Sequence, residues 1–216
     1  MSNRVHHSEL SCYNKLMKKF WLPILSIGLF LILAILVFVQ NSAIMAFDKI
    51  IESFFTGIHN QIFDKFFIEI TRIGDIIPAS IFIFLIAFIL FISKKYTKAK
   101  MILLSSGLGI SAGSFVKIII ERIRPENAMI DTIGSSFPSN HAIIAIILCL
   151  FFIYEFAKYI EIKWLKISFI IFIVLIFSLL ALSRLVLDVH WISDVVAGIL
   201  IGVACFSISQ KILEKS

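Results

Sequence analysis

The chain has 216 residues, of which 60% are hydrophobic and 16% are charged, and its mean hydropathy is +1.01. Water-soluble domains contain much less apolar sequence, so these values exclude an ordinary soluble protein. The net charge of +6 could suggest a nucleic-acid partner, but the basic residues cluster in alternate segments between apolar runs. That distribution is typical of membrane topology, and we predict no nucleic-acid partner.

Six runs of residues are apolar and close to the roughly 20 residues that cross a bilayer. They are residues 21–39, 76–93, 101–120, 138–157, 165–182 and 191–209. The first run exceeds the roughly 7–15 residues of a signal-peptide core, so we expect it to remain as an anchor. The sequence therefore predicts an all-α polytopic membrane protein, with residues 1–216 as one integral membrane domain.

The distribution of Lys and Arg predicts the orientation of the spans. If residues 1–20 form a cytoplasmic tail, most of the 20 Lys and Arg residues lie in segments on the cytoplasmic side. This is the bias that sets membrane topology. We therefore predict a multi-pass protein of the plasma membrane, surrounded by membrane lipids, with both termini in the cytoplasm.

Residues 41–75, between the first and second spans, have an amphipathic pattern. Apolar residues recur every three or four positions, which predicts helices lying in the outer membrane interface. The polar residues expected on the opposite face are Asp48, Lys49, Glu52, Asp64, Lys65 and Glu69. Two interpretations stay open: a cap packed on the bundle, or a gate for lateral lipid entry. We expect His59 here, like His6 and His7 in the tail, to be solvated.

Three polar clusters occur at span ends, and the predicted orientation puts all of them on the outer side. They read "KIIIERIRP" from Lys117, "PSNH" from Pro138 and "SRLVLDVHWISD" from Ser183. By contrast, no Asp, Glu, Lys, Arg or His lies near the middle of a span, whereas transporters and proton pumps usually need such a residue. Chemistry is therefore expected at one end of the bundle, within residues 117–194.

Lys117 and Arg124 are seven residues apart, a spacing that returns a helix nearly to the same face. Pro125 disfavours helical backbone at the preceding residue, so the helix is predicted to stop near Arg124. Two cations would then project from one edge of the third span. We expect Arg122 and Glu121 to be ordinary charges at the membrane surface.

Pro138 and Ser139 are suited to a helix start, where free N–H groups and the helix dipole favour an anion such as phosphate. His141 would lie in the first turn, beside any bound anion. A capped helix without a ligand is the alternative interpretation.

His190 and Asp194 are four residues apart and therefore share a helical face. A carboxylate bonded to one ring nitrogen would fix the tautomer and leave the other nitrogen free to attack. A metal pair is the alternative, but no third ligand is near, so we predict no metal. Arg184 adds a third cation, and Asp188 is expected to be a loop residue.

These three motifs resemble those of the type 2 phosphatidic acid phosphatase superfamily, which also includes bacterial acid phosphatases and vanadium haloperoxidases. The family pattern is Lys-x6-Arg-Pro, then Pro-Ser-Gly-His, then Ser-Arg-x5-His-x3-Asp. All positions match except Asn140, where the family usually has glycine. Since Asn tolerates left-handed backbone geometry better than most residues, we expect its N–H to remain available for phosphate.

The resemblance implies a role for each matching residue. The expected catalytic residues are His190 as nucleophile, Asp194 as its support and His141 as acid. The expected phosphate-binding residues are Lys117, Arg124, Ser139, Asn140 and Arg184. The resemblance also implies that no cofactor or metal is used, so that activity survives EDTA and falls with vanadate.

By the same resemblance, the expected function is a membrane lipid phosphatase that acts at the outer face through a phosphohistidine. Undecaprenyl diphosphate is the first expected substrate, and phosphatidylglycerophosphate and phosphatidate are alternatives. A lipid phosphotransferase is a second enzymatic possibility. A transporter or scaffold that keeps a phosphate pocket is the non-enzymatic alternative.

Overall fold

A computed structural model describes residues 21–214, and the predicted cytoplasmic tail, residues 1–20 with His6 and His7, lies outside this range. The described residues form eight α-helices, one short 3-10 helix at Ala157–Tyr159 and no β-strand. The α-helices are α1 (Trp21–Phe38), α2 (Ser42–Thr56), α3 (Gln61–Ile73), α4 (Ile76–Ile92), α5 (Tyr96–Ile120), α6 (Asn140–Phe156), α7 (Lys163–Val186) and α8 (Ile192–Glu214).

The predicted spans correspond to α1, α4, α5, α6, α7 and α8. Five helices among the described residues are long and apolar enough to cross a membrane. α4 has only 17 residues. Together with α3 it is long and apolar enough to form a sixth span, bent by 51° at Gly74 and Asp75. The prediction of an all-α polytopic membrane protein is confirmed.

α6 and α8 are the central helices of the bundle. About 61% and 67% of their membrane windows are buried, compared with 17% for α1 and α7. α8 packs against α1, α5 and α6, and α7 packs on the other side of α6. Because α6 and α8 both begin at the same end of the bundle, the residues at their N-termini lie together near its centre.

Glycines allow α6 to approach its neighbours closely. A Cβ on Gly109 or Gly113 of α5 would lie within 2.8 Å of the Ile143 side chain. A Cβ on Gly198 of α8 would lie 2.5 Å from the Ser139 carbonyl oxygen and 2.9 Å from the Ala142 Cβ. The absence of a side chain at these positions therefore lets the helices pack closely.

Gly198→Ala is expected to destabilise the bundle and to disturb the start of α6. The new methyl group would meet backbone at Ser139, which cannot move aside like a flexible side chain. Overpacking of this kind typically costs about 1–3 kcal/mol. We expect a lower thermal unfolding midpoint in detergent. Gly107→Ala is the control, because no atom lies within 4 Å of its added Cβ, and an equal midpoint for the two variants would contradict the prediction.

α2 and α3 form the amphipathic segment between the first and second spans. Asn41 caps α2 by accepting from the Ala43 N–H at 3.1 Å, and Asn60 caps α3 by accepting from the Phe63 N–H at 3.0 Å. α2 packs against α7 and α8, and α3 packs against α7. The prediction that Asp48 lies on the polar outer face is wrong: its side chain is 1% exposed and turned into the bundle.

Candidate active site

The end of α5 differs from the sequence prediction. The helix stops at Ile120, because Glu121 adopts a left-handed conformation with φ 46°. Lys117 and Arg124 therefore do not share a helical face. The loop after α5 folds back instead, and both cations donate to the Ser135 carbonyl, Lys117 Nζ at 2.6 Å and Arg124 Nη2 at 3.4 Å. The two cations therefore come together as predicted, but the fold of the loop brings them together and not a shared helical face.

α6 begins as predicted at the "PSNH" motif. Ser139 is the N-cap, its Oγ accepts from the Ala142 N–H at 3.5 Å, and its own N–H donates to the Asp194 carbonyl at 3.0 Å. Asn140 is the first helical residue and is not among the described residues with positive φ. An L-residue therefore fits here without left-handed strain. Its N–H lies in the first turn, where helices leave N–H groups without intrahelical partners.

His190 and Asp194 are in contact as predicted, but they do not share a helical face, because His190 lies in the loop before α8. Nδ1 of His190 lies 3.2 Å from Oδ2 of Asp194. The Asp194 carboxylate also accepts from Arg122 and from the Trp191 N–H, so it acts as an acceptor and Nδ1 must carry the ring proton. The lone pair of the neutral ring is then on Nε2. This is the tautomer required for a nucleophile supported by a carboxylate.

Arg124 lies against the free nitrogen of His190. Its Nη1 is 3.3 Å from His190 Nε2 and donates to the Val189 carbonyl at 2.8 Å. Burial, the largest cause, and the positive charges of Arg184 and Arg124 lower the pKa of His190 to about 4, although Asp194 acts in the opposite direction. Burial also lowers the pKa of Arg124, but a guanidinium stays charged at neutral pH. His190 is therefore neutral at pH 7.

Arg184 and His141 meet at Thr71 of α3, which sequence reasoning did not single out. Arg184 Nη1 donates to Thr71 Oγ1 at 2.5 Å, and its Nε has no hydrogen-bond partner within residues 21–214. His141 Nε2 lies 3.3 Å from the Thr71 carbonyl oxygen and 3.3 Å from Asp75 Oδ1. The amphipathic segment thus forms one wall of the site.

Arg122 is not the ordinary surface charge expected from the sequence. Its side chain is 8% exposed and pairs with Asp48 at 2.5 Å and with Asp194 at 2.6 Å. Glu121, by contrast, is exposed. The Arg122 contacts were missed because Asp48 is far away in sequence, and only the docking of α2 brings it to the site.

His59 and Asp188 also differ from expectation. Both ring nitrogens of His59 face carboxylates although its side chain is 19% exposed: Nδ1 lies 2.8 Å from Asp64 Oδ1 and Nε2 lies 3.1 Å from Asp188 Oδ2. Burial lowers the pKa of His59, but the hydrogen bonds and charges of Asp64 and Asp188 outweigh this effect and raise it. Asp188 does lie in the α7–α8 loop, but it is buried and also accepts from Thr56 Oγ1 at 2.9 Å.

A cavity of about 530 Å³ opens beside the cations. Its walls include Lys117, Arg122, Arg124, Gly134 and Ser135, and Arg124 also contacts His190. Within the described part of the chain, no group of three or more His, Cys, Asp and Glu side chains is arranged to hold a metal ion.

Comparison with protein families gives a match to the PAP2 superfamily over residues 98–216, which include all three motifs. The chain belongs to the PAP2 superfamily. The protein is therefore a phosphatase with the fold of the membrane lipid phosphatases of that superfamily. The interpretations as a transporter or an inactive scaffold are set aside.

Two solved structures resemble this PAP2 protein. One is described as the first transmembrane PAP2 type phosphatidylglycerolphosphate phosphatase from Bacillus subtilis. It has 25% sequence identity and a TM-score of 0.77, and the match covers 91% of this chain and 98% of that one. The other is LpxE from Aquifex aeolicus, with 23% identity, a TM-score of 0.61, and coverage of 74% and 92%. No curated protein sequence matches the chain significantly.

Proposed function

We propose that this PAP2 phosphatase removes the terminal phosphate of a membrane lipid at the outer face of the plasma membrane, through a phosphohistidine on His190. The proposal rests above all on the neutral His190 ring, which has Asp194 at one nitrogen and a guanidinium at the other. Its substrate is a lipid phosphate or diphosphate, with undecaprenyl diphosphate as the first candidate.

Substrate binding would begin with the cations. Lys117 and Arg124 donate to the Ser135 carbonyl, and Arg184 has an Nε–H without a partner among the described residues. A phosphoryl group carries stronger acceptors than a carbonyl, so it would displace Ser135 as their partner. Arg124 would move from His190 Nε2 to a phosphoryl oxygen, which opens the path from the cavity to the nucleophile. The Ser139 and Asn140 helix start would bind a further oxygen.

The transfer would then proceed in line. The Nε2 lone pair of His190 forms a bond to phosphorus while the bond from phosphorus to the leaving oxygen breaks. His141 donates a proton to the leaving oxygen, and Asp194 stabilises the positive charge of the phosphorylated ring. A water molecule next attacks phosphorus, His141 accepts its proton, and the N–P bond breaks. Lys117, Arg124 and Arg184 stabilise the negative charge of both transition states.

Phosphatidylglycerophosphate is the second candidate substrate, because the Bacillus subtilis structure is described as a phosphatase of that lipid and has the same fold over most of both chains. The nucleophile and cations required are the same for both lipids. The candidates differ in headgroup and tail.

A lipid panel tests this proposal. Purified protein in detergent is assayed for free phosphate with undecaprenyl diphosphate, phosphatidylglycerophosphate and phosphatidate. We expect release from at least one lipid, with the highest kcat/KM for undecaprenyl diphosphate. A higher value for phosphatidylglycerophosphate would transfer the assignment to the second candidate. Transfer of the phosphate to a lipid or sugar hydroxyl, without free phosphate, would mean that the protein is a phosphotransferase.

A further inference from the structure

A buried chain of polar groups connects α2 to the carboxylate behind His190. Arg122 Nη2 donates to Asp48 Oδ2 at 2.5 Å, and Arg122 Nη1 donates to Asp194 Oδ1 at 2.6 Å and to Ser193 Oγ at 2.6 Å. Ser193 closes the network: its N–H donates to Asp48 Oδ1 at 3.0 Å and its Oγ donates to Asp48 Oδ2 at 2.7 Å. Three segments far apart in sequence thus meet in one hydrogen-bonded unit.

The charged members of this network are shielded from water. Asp48 is 1% exposed, Asp194 is fully buried, and the Arg122 side chain is 8% exposed. Buried charges are tolerated when they are paired and hydrogen-bonded, and removing one partner leaves an uncompensated charge. Asp48 and Asp194 share the single guanidinium of Arg122. A substitution at Asp48 therefore changes the electrostatic interaction between Arg122 and Asp194.

The Asp194 carboxylate is held on both oxygens. Oδ1 accepts from Arg122, while Oδ2 accepts from the Trp191 N–H at 2.9 Å and faces His190 Nδ1 at 3.2 Å. The plane of the carboxylate, and hence the direction in which it holds the His190 ring, depends on Arg122. Although Arg122 borders the cavity, both of its terminal nitrogens are engaged by protein groups.

We propose that Asp48 and Arg122 are positioning residues for the nucleophile: Asp48 orients Arg122, and Arg122 fixes the carboxylate of Asp194 behind His190. This inference rests on the proposed function, in which His190 attacks phosphorus. It makes α2, an element outside the three motifs, a necessary part of the active site.

The network also influences the pKa of His190, because it determines how strongly the Asp194 carboxylate stabilises the protonated ring. The charged or titratable groups that face His190 or its immediate partners, including the network, come from each neighbouring element. They are Asp48 and Glu52 of α2, Asp75 before α4, Lys117 of α5, Arg122 and Arg124 of the following loop, His141 of α6, Arg184 of α7 and Asp194 of α8.

Loss of the charge on Arg122 or on Asp48 should shift the pKa of His190 in opposite directions. Without Arg122, the Asp194 carboxylate is no longer partly neutralised, so it stabilises protonated His190 more and the pKa of His190 rises. Without the charge on Asp48, Arg122 is shared by one carboxylate rather than two and neutralises Asp194 more fully, so the pKa of His190 falls. Shifts of opposite sign show that both charges act on His190, and an accompanying loss of kcat tests whether they also position it.

The experiment measures kcat and KM against pH for Arg122→Gln, Asp48→Asn and the double variant, with the lipid of the panel that the wild type hydrolyses fastest. For Arg122→Gln we expect kcat to fall about tenfold to a hundredfold with little change in KM, because a small displacement of the catalytic groups is costly. We expect the acid limb of kcat/KM to move up by roughly 0.5–1 unit in Arg122→Gln and down in Asp48→Asn. The same substrate is used throughout, so its own ionisation cancels.

Matched controls come from the exposed Arg72–Glu69 pair on α3, whose side chains are 63% and 59% exposed. Arg72→Gln and Glu69→Gln remove the same charges at the surface and should leave rate and pH profile unchanged. Thermal unfolding in detergent, with and without vanadate, identifies variants that fail to fold. For these, Arg122→Lys and Asp48→Glu keep the charges and should recover the pH profile with a reduced kcat.

Three outcomes would overturn the inference: shifts of the same sign, profiles equal to those of the controls, or a rise in KM alone in Arg122→Gln. The last would make Arg122 a direct phosphate ligand. His190→Ala separates this inference from the proposed function. If that variant keeps wild-type activity, the proposed function fails. If it is inactive while the Asp48 and Arg122 variants behave as the controls, only the positioning role fails.

Discussion

Replacement of His190 by alanine is expected to abolish phosphate release, with a loss of roughly 10⁴-fold or more, because the variant lacks the atom that would attack phosphorus. His190 is buried, and its free nitrogen contacts only Arg124 among the protein donors that the structure describes. The measurement is free phosphate from the preferred lipid in detergent.

Two further measurements separate loss of the nucleophile from loss of the pocket. Vanadate should still raise the unfolding temperature of His190→Ala, because the three cations remain. An acid-labile, base-stable phosphoryl label should form in the rapidly quenched wild type and be absent from the variant. A variant that retains more than a tenth of the activity would exclude His190 as the nucleophile.

Replacement of Arg184 by methionine is expected to lower kcat/KM about a hundredfold to a thousandfold, the usual effect of removing one donor to transition-state charge. Arg184 is 3% exposed, is oriented by Thr71, and has an Nε–H with no partner among the described residues. Arg184→Lys keeps the charge but loses the planar fork, so we expect it to recover only part of the rate.

Arg72→Met is the matched control for Arg184, since Arg72 follows Thr71 directly but its side chain is exposed. It should leave kcat/KM unchanged. Full activity in Arg184→Met, in a protein of unchanged unfolding temperature, would remove Arg184 from the phosphate site.

The spans and the motif pairs with short spacing could be predicted from sequence because each depends on local properties. A run of apolar residues is sufficient to indicate a helix in lipid, and a separation of four residues is sufficient to place His190 and Asp194 on one side of a helix start. The error at the end of α5 has a local cause that the pattern did not reveal. Pro125 indicated where the helix could not continue, whereas the left-handed Glu121 ended it earlier.

Asp48, Arg122 and Thr71 could not be assigned from sequence. An amphipathic pattern shows that a helix has a polar face, but it does not show whether part of that face meets water or another buried charge. Asp48 and Glu69 occupy equivalent positions by pattern, yet Asp48 is buried against Arg122 while Glu69 is exposed. The same limit applies to His59, whose partner Asp188 is distant in sequence.

The amino-acid sequence by itself determined the helical membrane architecture and the residues of three motifs at one end of the bundle, because hydropathy and helical periodicity act over a few turns. The tertiary structure decided which charges surround the nucleophile: the docking of α2 and α3 brings Asp48 to Arg122 and Thr71 to Arg184. The physical reason is that burying a charged side chain is unfavourable unless it is paired. In this protein the partners come from distant segments that pack together.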